Sequence, residues 1–261
     1  MISKNQIRFI TSLHQKKYRR SEGLFIAEGE KVVSDLLDTD WEIRAFYYTE
    51  RCSLPLSRLS SGRISGEMLK ISEEDLQKIS ALTTAQSVLA VAVVPERKLD
   101  FANLASGLSL VLDDIQDPGN LGTILRIADW FGITNILCGE NTVECFNPKV
   151  VQASMGSLFR VNVYYGDLAA LFEKNKHELK LPVYGTVLEG ENLFQTELTQ
   201  TGLILFGNES VGIHRELVPF IDHKITIPSF YASSIGPDSL NVSIAVGIVC
   251  GEFKRRTLSK A

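Results

Sequence analysis

Apolar positions along the chain fall into two regimes. In the first, Ile7, Ile10 and Leu13 give a helix over residues 3–16 one buried stripe, with basic side chains outside it. Glu30 to Leu37 predicts a second helix, Trp41 to Thr49 a strand, and Ser72-Glu73-Glu74-Asp75 a capped helix start running to Ile79. Ser87 to Val94 reads as a buried strand, and Pro95-Glu96-Arg97-Lys98 after it is a charged hinge. A domain boundary is placed there, dividing the chain into residues 1–98 and 99–261.

From Leu108 the pattern becomes strict alternation. Leu108–Leu112, Asn135–Cys138, Val161–Tyr164, Pro182–Val187, Leu203–Phe206 and Lys224–Ile227 read as strands. Leu121–Phe131, Pro148–Ser157, Leu168–Lys176 and Ser239–Phe253 read as helices. Such alternation with short connections predicts an α/β fold, a mostly parallel sheet covered on both faces, preceded by a small mixed α/β domain. Ligands of such sheets lie beyond the carboxyl ends of the strands. The turns after Leu112, Phe206 and Ile227 are therefore where chemistry is expected.

Composition narrows the classes. With 44% hydrophobic and 22% charged residues, the 261-residue chain is neither disordered throughout nor fibrous. Its longest apolar run, Val88 to Val94, is far short of the ~18 residues that cross a bilayer. The first twenty residues lack the apolar stretch of a secretory signal, so the expected compartment is the cytoplasm. Cys52, Cys138, Cys145 and Cys250 lie far apart with no Cys-x-x-Cys, which predicts neither a metal site nor disulfides. The net charge of −4 argues against a nonspecific polyanion binder. Yet Lys4, Arg8, Lys16, Lys17, Arg19 and Arg20 occupy residues 1–20 without a single acid, and Lys254, Arg255, Arg256 and Lys260 follow in the tail. Charge pattern alone fits both a phosphate-binding face and an ordinary solvated one.

Nucleotide phosphate loops are missing. No two of the 19 glycines are separated by one residue, so Gly-x-Gly-x-x-Gly does not occur, and Gly207 and Gly212 are followed by Ile213 where a P-loop needs lysine. His-Glu-x-x-His and Gly-x-Ser-x-Gly are absent too. Three turns remain. In Asp113 to Arg126, Pro118-Gly119 makes the turn, Asn120 reads as a helix cap, and Arg126 lies off the apolar stripe, with Asp129 as a default partner. Phe206-Gly207-Asn208-Glu209 puts a carboxylate at a strand end. Ile227-Pro228 leads to Ser239-Leu240-Asn241-Val242-Ser243, where Ser239 reads as a cap and Asn241 as a buried polar group. Small residues Ser243, Ala245 and Gly247 predict close packing of the last helix.

Together these turns resemble the motifs of the SpoU, or TrmH-like, RNA 2′-O-ribose methyltransferases of the SPOUT superfamily. The first motif is similar to Asn120-x5-Arg126, the second to Gly207-Asn208-Glu209, and the third to Ile227-Pro228 leading to Ser239-Leu240-Asn241-Val242-Ser243, in that order over residues 108–253. Residues 3–94, with Phe25-Ile26-Ala27-Glu28-Gly29, resemble the substrate-binding domain that often precedes this catalytic domain. One departure is the length of the segment from Ser229 to Asp238, which carries Phe230-Tyr231-Ala232-Ser233-Ser234-Ile235 beside the expected cofactor pocket.

The resemblance implies a deep trefoil knot, a feature no periodicity predicts, since knots are nearly absent from folds. It implies S-adenosylmethionine held by Gly207, Ile227 and Leu240, with Asn208 and Thr186 nearby. It implies Arg126 as the catalytic arginine, with Asn120, Glu209, Ser239 and Asn241 positioning it, the substrate or a partner subunit. It further implies a homodimer acting on rRNA or tRNA, the RNA met by the basic residues Lys4, Arg8, Lys16, Lys17, Arg19 and Arg20. Two other classes stand beside it: a noncatalytic RNA-binding protein that kept the fold, and a nucleotide-dependent oxidoreductase, which the missing phosphate loops disfavour.

Overall fold

The computed structural model describes residues 2–55, 64–230 and 239–258. Two compact units emerge, the first running to Glu96 and taking Glu144–Phe159 as well, the second made of Arg97–Val143 and the chain from Arg160.

The first unit begins with α1 (Lys4–Ser12), α2 (Lys16–Glu22), β1 (Leu24–Glu28), α3 (Glu30–Leu37), β2 (Ile43–Tyr48), β3 (Ile64–Lys70), α4 (Glu73–Ile79) and β4 (Val88–Val93). Its sheet runs β1-β4-β2-β3, antiparallel except for β2 with β3. Ile10, Leu13, Ile26, Tyr47, Leu76, Ile79, Leu89 and Val91 form its core. The periodicity expected one helix over residues 3–16, but the chain breaks after α1, with Gln15 extended. Arg19 explains how this break is tolerated. Its Nη1 donates to the Leu13 and His14 carbonyls, 2.9 Å each, so groups stranded at the end of α1 find a donor. Its Nη2 reaches Glu144 Oε2 at 2.5 Å, and the side chain is only 2% exposed. Arg19 therefore does not belong to the RNA-facing basic set, because burial withdraws it from any phosphate; Lys4, Arg8, Lys16, Lys17 and Arg20 are exposed.

The second unit holds β5 (Leu108–Leu112), α5 (Pro118–Trp130), β6 (Asn135–Cys138), β7 (Asn162–Tyr165), α7 (Leu168–His177), β8 (Val183–Asn192), β9 (Gly202–Phe206), β10 (His223–Thr226) and α8 (Val242–Leu258). α6 (Pro148–Ser154) lies between β6 and β7 in sequence. The six-stranded sheet runs β10-β8-β9-β5-β6-β7, with every neighbouring pair parallel. The protein is thus α/β, with a small mixed unit in front of a parallel sheet. Carboxyl ends of all six strands share one edge, which brings the turns after β5, β9 and β10 together despite their separation in sequence.

One later segment belongs to the first unit. After β6 the chain enters the first unit over Glu144–Phe159. There α6 packs against β1, Phe146 sits 4.9 Å from Phe25 and Phe159 sits 5.2 Å from Trp41, centroid to centroid. Large aromatic rings in contact carry much of the apolar burial that holds such a segment in place. The four cysteines are free thiols. No described helix is long and apolar enough to cross a membrane. Tyr231 to Asp238 and Lys260 lie outside the described residues.

Removing one member of a buried ion pair strands the other charge, typically at ~3–5 kcal/mol. Arg19→Ala should therefore lower the first unfolding transition in urea by about 3 kcal/mol, while Lys16→Ala stays within ~0.5 kcal/mol. Equal, small effects of both substitutions would show that Arg19 is not a structural arginine.

Candidate active site

β5 ends at Leu112, and Asp113 and Asp114 turn the chain away, Asp114 in the left-handed region at φ 58°. Asp117, not Asn120, caps α5: its Oδ1 accepts the Asn120 N–H at 2.8 Å, and Pro118 fills the first helical position. Asn120 therefore lies inside the first turn with its side-chain amide released from capping. Leu121, Ile124, Leu125 and Ala128 bury one face of α5. Arg126 is exposed and, among the described residues, makes no ion pair; Asp129, its expected partner, pairs instead with Arg160 at 2.8 Å.

The turn after β9 folds tightly on itself. Asn208 and Gly212 exchange backbone hydrogen bonds of 3.0 and 2.8 Å, and Asn208 Oδ1 accepts the N–H groups of Ser210 and Val211. A Cβ at Gly207 would collide with the Gly212 and Ile213 backbone, so only glycine fits there. Two contacts fasten this turn to the one after β5. Asn208 Nδ2 donates to the Asp114 carbonyl at 2.8 Å, and the buried Asp113 carboxylate takes the His214 N–H at 2.7 Å and faces His214 Nδ1 at 2.8 Å. Hydrogen bonding to Asp113, and its charge, raise the His214 pKa above the ordinary histidine value.

α8 starts at Val242, and Asn241 is its cap: Oδ1 accepts the Ser243 N–H at 3.0 Å and the Ser243 hydroxyl at 2.6 Å. Ser239 is exposed and outside the cap, and Asn241 is exposed rather than buried, which corrects both readings of this segment. The helix packs on α5 of the same chain. Gly247 and Gly251 face Ile127 and Phe131 there at ordinary contact distance, so that packing does not depend on their smallness.

Asn120 now links all three motifs. Its Nδ2 donates to Glu209 Oε1 at 2.5 Å, and its Oδ1 accepts from Asn241 Nδ2 at 2.9 Å. Arg126 lies on the same helix, about two turns beyond.

Of the residues expected at the cofactor, Gly207 and Asn208 follow β9, Ile227 follows β10 and Thr186 stands within β8. β10 pairs with β8 at Tyr184 and Gly185 and then jumps to Glu191 and Asn192, so residues 186–190 leave the ladder as a bulge. Thr186 Oγ1 ties the bulge to the Leu205 carbonyl at 3.0 Å, and Thr226 Oγ1 ties it to the Leu188 carbonyl at 3.1 Å. Ile227 is half-buried just past β10, and Leu240 is exposed before α8. Neither 186–190 nor 207–212 contains Lys or Arg, whereas Glu189 and Glu209 are carboxylates. That donor set suits a cationic, phosphate-free ligand such as a sulfonium and not a dinucleotide. Among the described residues no cluster of His, Cys, Asp or Glu is placed to hold a metal ion.

A parallel α/β sheet with this polar constellation at its strand ends, joined to a small mixed unit, defines a class of RNA methyltransferases. Residues 107–251 match the SpoU rRNA Methylase family and residues 4–90 the MRM3-like substrate binding domain, and the chain belongs to the SpoU family. It is 30% identical over 250 residues to the 23S rRNA (guanosine(2553)-2'-O)-methyltransferase RlmP of Bacillus subtilis, covering 95% of each chain. Among solved structures, a TrmH-family protein from Porphyromonas gingivalis shares 36% identity at a TM-score of 0.82, over 98% of this chain and 99% of that one. An AdoMet-bound rRNA methyltransferase from Sinorhizobium meliloti shares 28% identity at a TM-score of 0.84, over 98% and 97%. The chain is an enzyme, an S-adenosylmethionine-dependent RNA 2′-O-ribose methyltransferase.

Asp113, Asp117 and His214 escaped the motif-based reading. Asp117 carried a signal, standing directly before Pro118 at a helix start; His214 carried none.

Asn120→Ala removes the only group shared by Glu209 and Asn241 in this chain of hydrogen bonds, while Asn241 keeps its cap. Single-turnover methyl transfer to unmodified substrate RNA should fall by about tenfold to a hundredfold, as for a lost bond to a charged group, with the melting temperature nearly unchanged. An unaltered rate would remove Asn120 from the site.

Proposed function

We propose that this enzyme methylates a ribose of ribosomal RNA and that Arg126, Asn120, Glu209, Ser239 and Asn241 form its catalytic site, beside a cofactor held by Gly207, Asn208, Ile227, Leu240 and Thr186. The observation that carries this reading is the hydrogen-bonded chain Glu209–Asn120–Asn241 with, on the same helix, an exposed arginine that makes no ion pair among the described residues. Family membership adds a trefoil knot as the expected path of the chain through these turns. rRNA is favoured over tRNA because RlmP and the Sinorhizobium meliloti enzyme are both named for rRNA. The cytoplasm is the proposed compartment, in keeping with the similarity to the bacterial rRNA enzyme RlmP.

Bound S-adenosylmethionine supplies an already activated methyl group, so the protein's task is alignment and handling of the hydroxyl proton. Guanidinium groups stay protonated in proteins and present a planar fork of donors. Arg126 accordingly donates to the target ribose hydroxyl or its phosphate and holds the oxygen in line, while the hydroxyl proton passes to another group. Asn120 keeps Glu209 and Asn241 in register around that position. The backbone of the 207–212 turn and the 186–190 bulge forms the cofactor walls, excluding water from them.

Lys4, Arg8, Lys16, Lys17 and Arg20 are exposed on the first two helices beside the half-exposed rings of Phe9 and Tyr18. Cations interleaved with aromatics suit RNA phosphates and unstacked bases. A second copy of the chain completes the proposal. Trp130 is 85% exposed on α5 and Ile244 54% exposed on α8, large apolar side chains that an isolated subunit leaves in water.

Arg126→Ala should leave S-adenosylmethionine affinity by calorimetry unchanged and lower the single-turnover rate at saturating RNA at least ~10²-fold. Arg126→Lys, which keeps charge but loses the fork, should recover only part of that loss. A near-normal rate for the alanine variant would return Arg126 to an ordinary surface role. Light scattering at micromolar concentration should give the mass of a dimer, and a monomer would refute the second-copy assignment.

A further inference from the structure

His214 lies outside the family motifs, yet it joins the turn after β9 to the turn after β5. Asp113, immediately after β5, is buried at 4% exposure, and its two oxygens engage the backbone and the ring of the same residue, His214, at 2.7 and 2.8 Å. The Asp113 N–H in turn donates to the Phe206 carbonyl at 2.9 Å, at the end of β9. The 207–214 turn, which holds Gly207, Asn208 and Glu209, is therefore held at its far end by Asp113 and near its start by the Asn208–Asp114 contact at 2.8 Å. Glu209 meets Asn120 between these two fastenings.

We propose that His214 is a positioning residue for methyl transfer: its ring, gripped by Asp113, clamps the 207–214 turn onto the turn after β5 and so fixes the cofactor wall at Gly207 and the Glu209–Asn120 contact. The proposal rests on the assignment of Gly207 and Glu209 to the active site.

The environment makes the clamp depend on charge. The ring faces Asp113 and, at 3.9 Å, Asp114, with Glu216 two residues along its own segment. Glu140 after β6 and Asp167 before α7 line the same open cavity of about 340 Å³. All of these groups are acidic, and a buried carboxylate is costly without a countercharge. The His214 pKa is accordingly raised above 6.5, by the Asp113 hydrogen bond first. A group whose folded pKa is raised contributes fully below its unfolded value and loses that contribution as pH rises through the folded value. The clamp is therefore complete below pH 6.5 and weakens as the pH climbs past the raised value of the ring.

Two substitutions test this. His214→Ala removes the ring and keeps the backbone N–H that Asp113 also uses; His214→Asn keeps an amide donor near the Nδ1 position and cannot titrate. Hydrogen-exchange protection of the Asn208, Gly212 and His214 amides in the cofactor-free protein should drop about tenfold in the alanine variant and return in the asparagine variant. The Kd for S-adenosylmethionine by calorimetry should weaken about tenfold and be rescued in the same order. From pH 6.5 to 9, the wild-type protection factors and affinity should decline while those of His214→Asn stay flat. Unchanged protection in His214→Ala would show that no clamp exists. Reduced protection with unchanged affinity, or a pH profile shared by wild type and His214→Asn, would make the ring merely structural and overturn the proposal. If the wild-type protein did not bind S-adenosylmethionine, the cofactor assignment beneath the proposal would fail, a result the cofactor-free exchange data keep separate.

Discussion

The candidate site depends on a single side-chain amide used at both ends. Asn120 donates a hydrogen bond to Glu209, 89 residues away in sequence, and accepts one from Asn241, 121 residues away. An amide has both donor and acceptor, so one residue can hold a carboxylate and a second amide without adding charge. It is free to do so because Asp117 takes the capping duty at the start of α5 and Asn241 takes it at the start of α8. Each cap satisfies helix N–H groups that would otherwise compete for the same oxygens.

The parallel sheet makes such a meeting possible. β5 and β9 are adjacent and run the same way, so Leu112 and Phe206 are register partners and their following turns leave the sheet side by side. α8 then packs along α5, setting its capping residue beside the first turn of that helix. Contacts at strand ends carry little burial and gain little stability; what they provide is a fixed arrangement before any ligand arrives, the condition under which alignment lowers a barrier. The Asp113 carboxylate, buried among these turns, is the point at which that arrangement costs desolvation and needs His214 opposite it.

Much of this architecture was legible in the sequence, and the failures have physical causes. Apolar runs located every strand of the second sheet; the central β5, β6 and β9 are buried along their whole length and show it most plainly. β1, β3 and α2 were missed, and the helix predicted over 3–16 ran past the end of α1, since local periodicity carries no information about a break between helices whose carbonyls Arg19 satisfies from six residues away. Arg19 itself looked like its basic neighbours; charge does not report burial. Both caps were misassigned by a few residues because Asp117 and Asn120, or Ser239 and Asn241, are all good capping residues and only the tertiary partners Glu209 and Asn120 decide between them. The excursion of residues 144–159 into the first unit depends on aromatic partners more than a hundred residues earlier, Phe25 and Trp41, which no window contains.

The central claim is that Glu209, Asn120 and Asn241 act as one unit. A double-mutant cycle on Asn120→Ala and Glu209→Ala tests it most directly, with single-turnover methyl transfer from S-adenosylmethionine to unmodified ribosomal RNA as the readout. The account predicts that the double variant is scarcely slower than the worse single variant. Losses that simply multiply would contradict it, and would mean that the two residues reach the reaction separately.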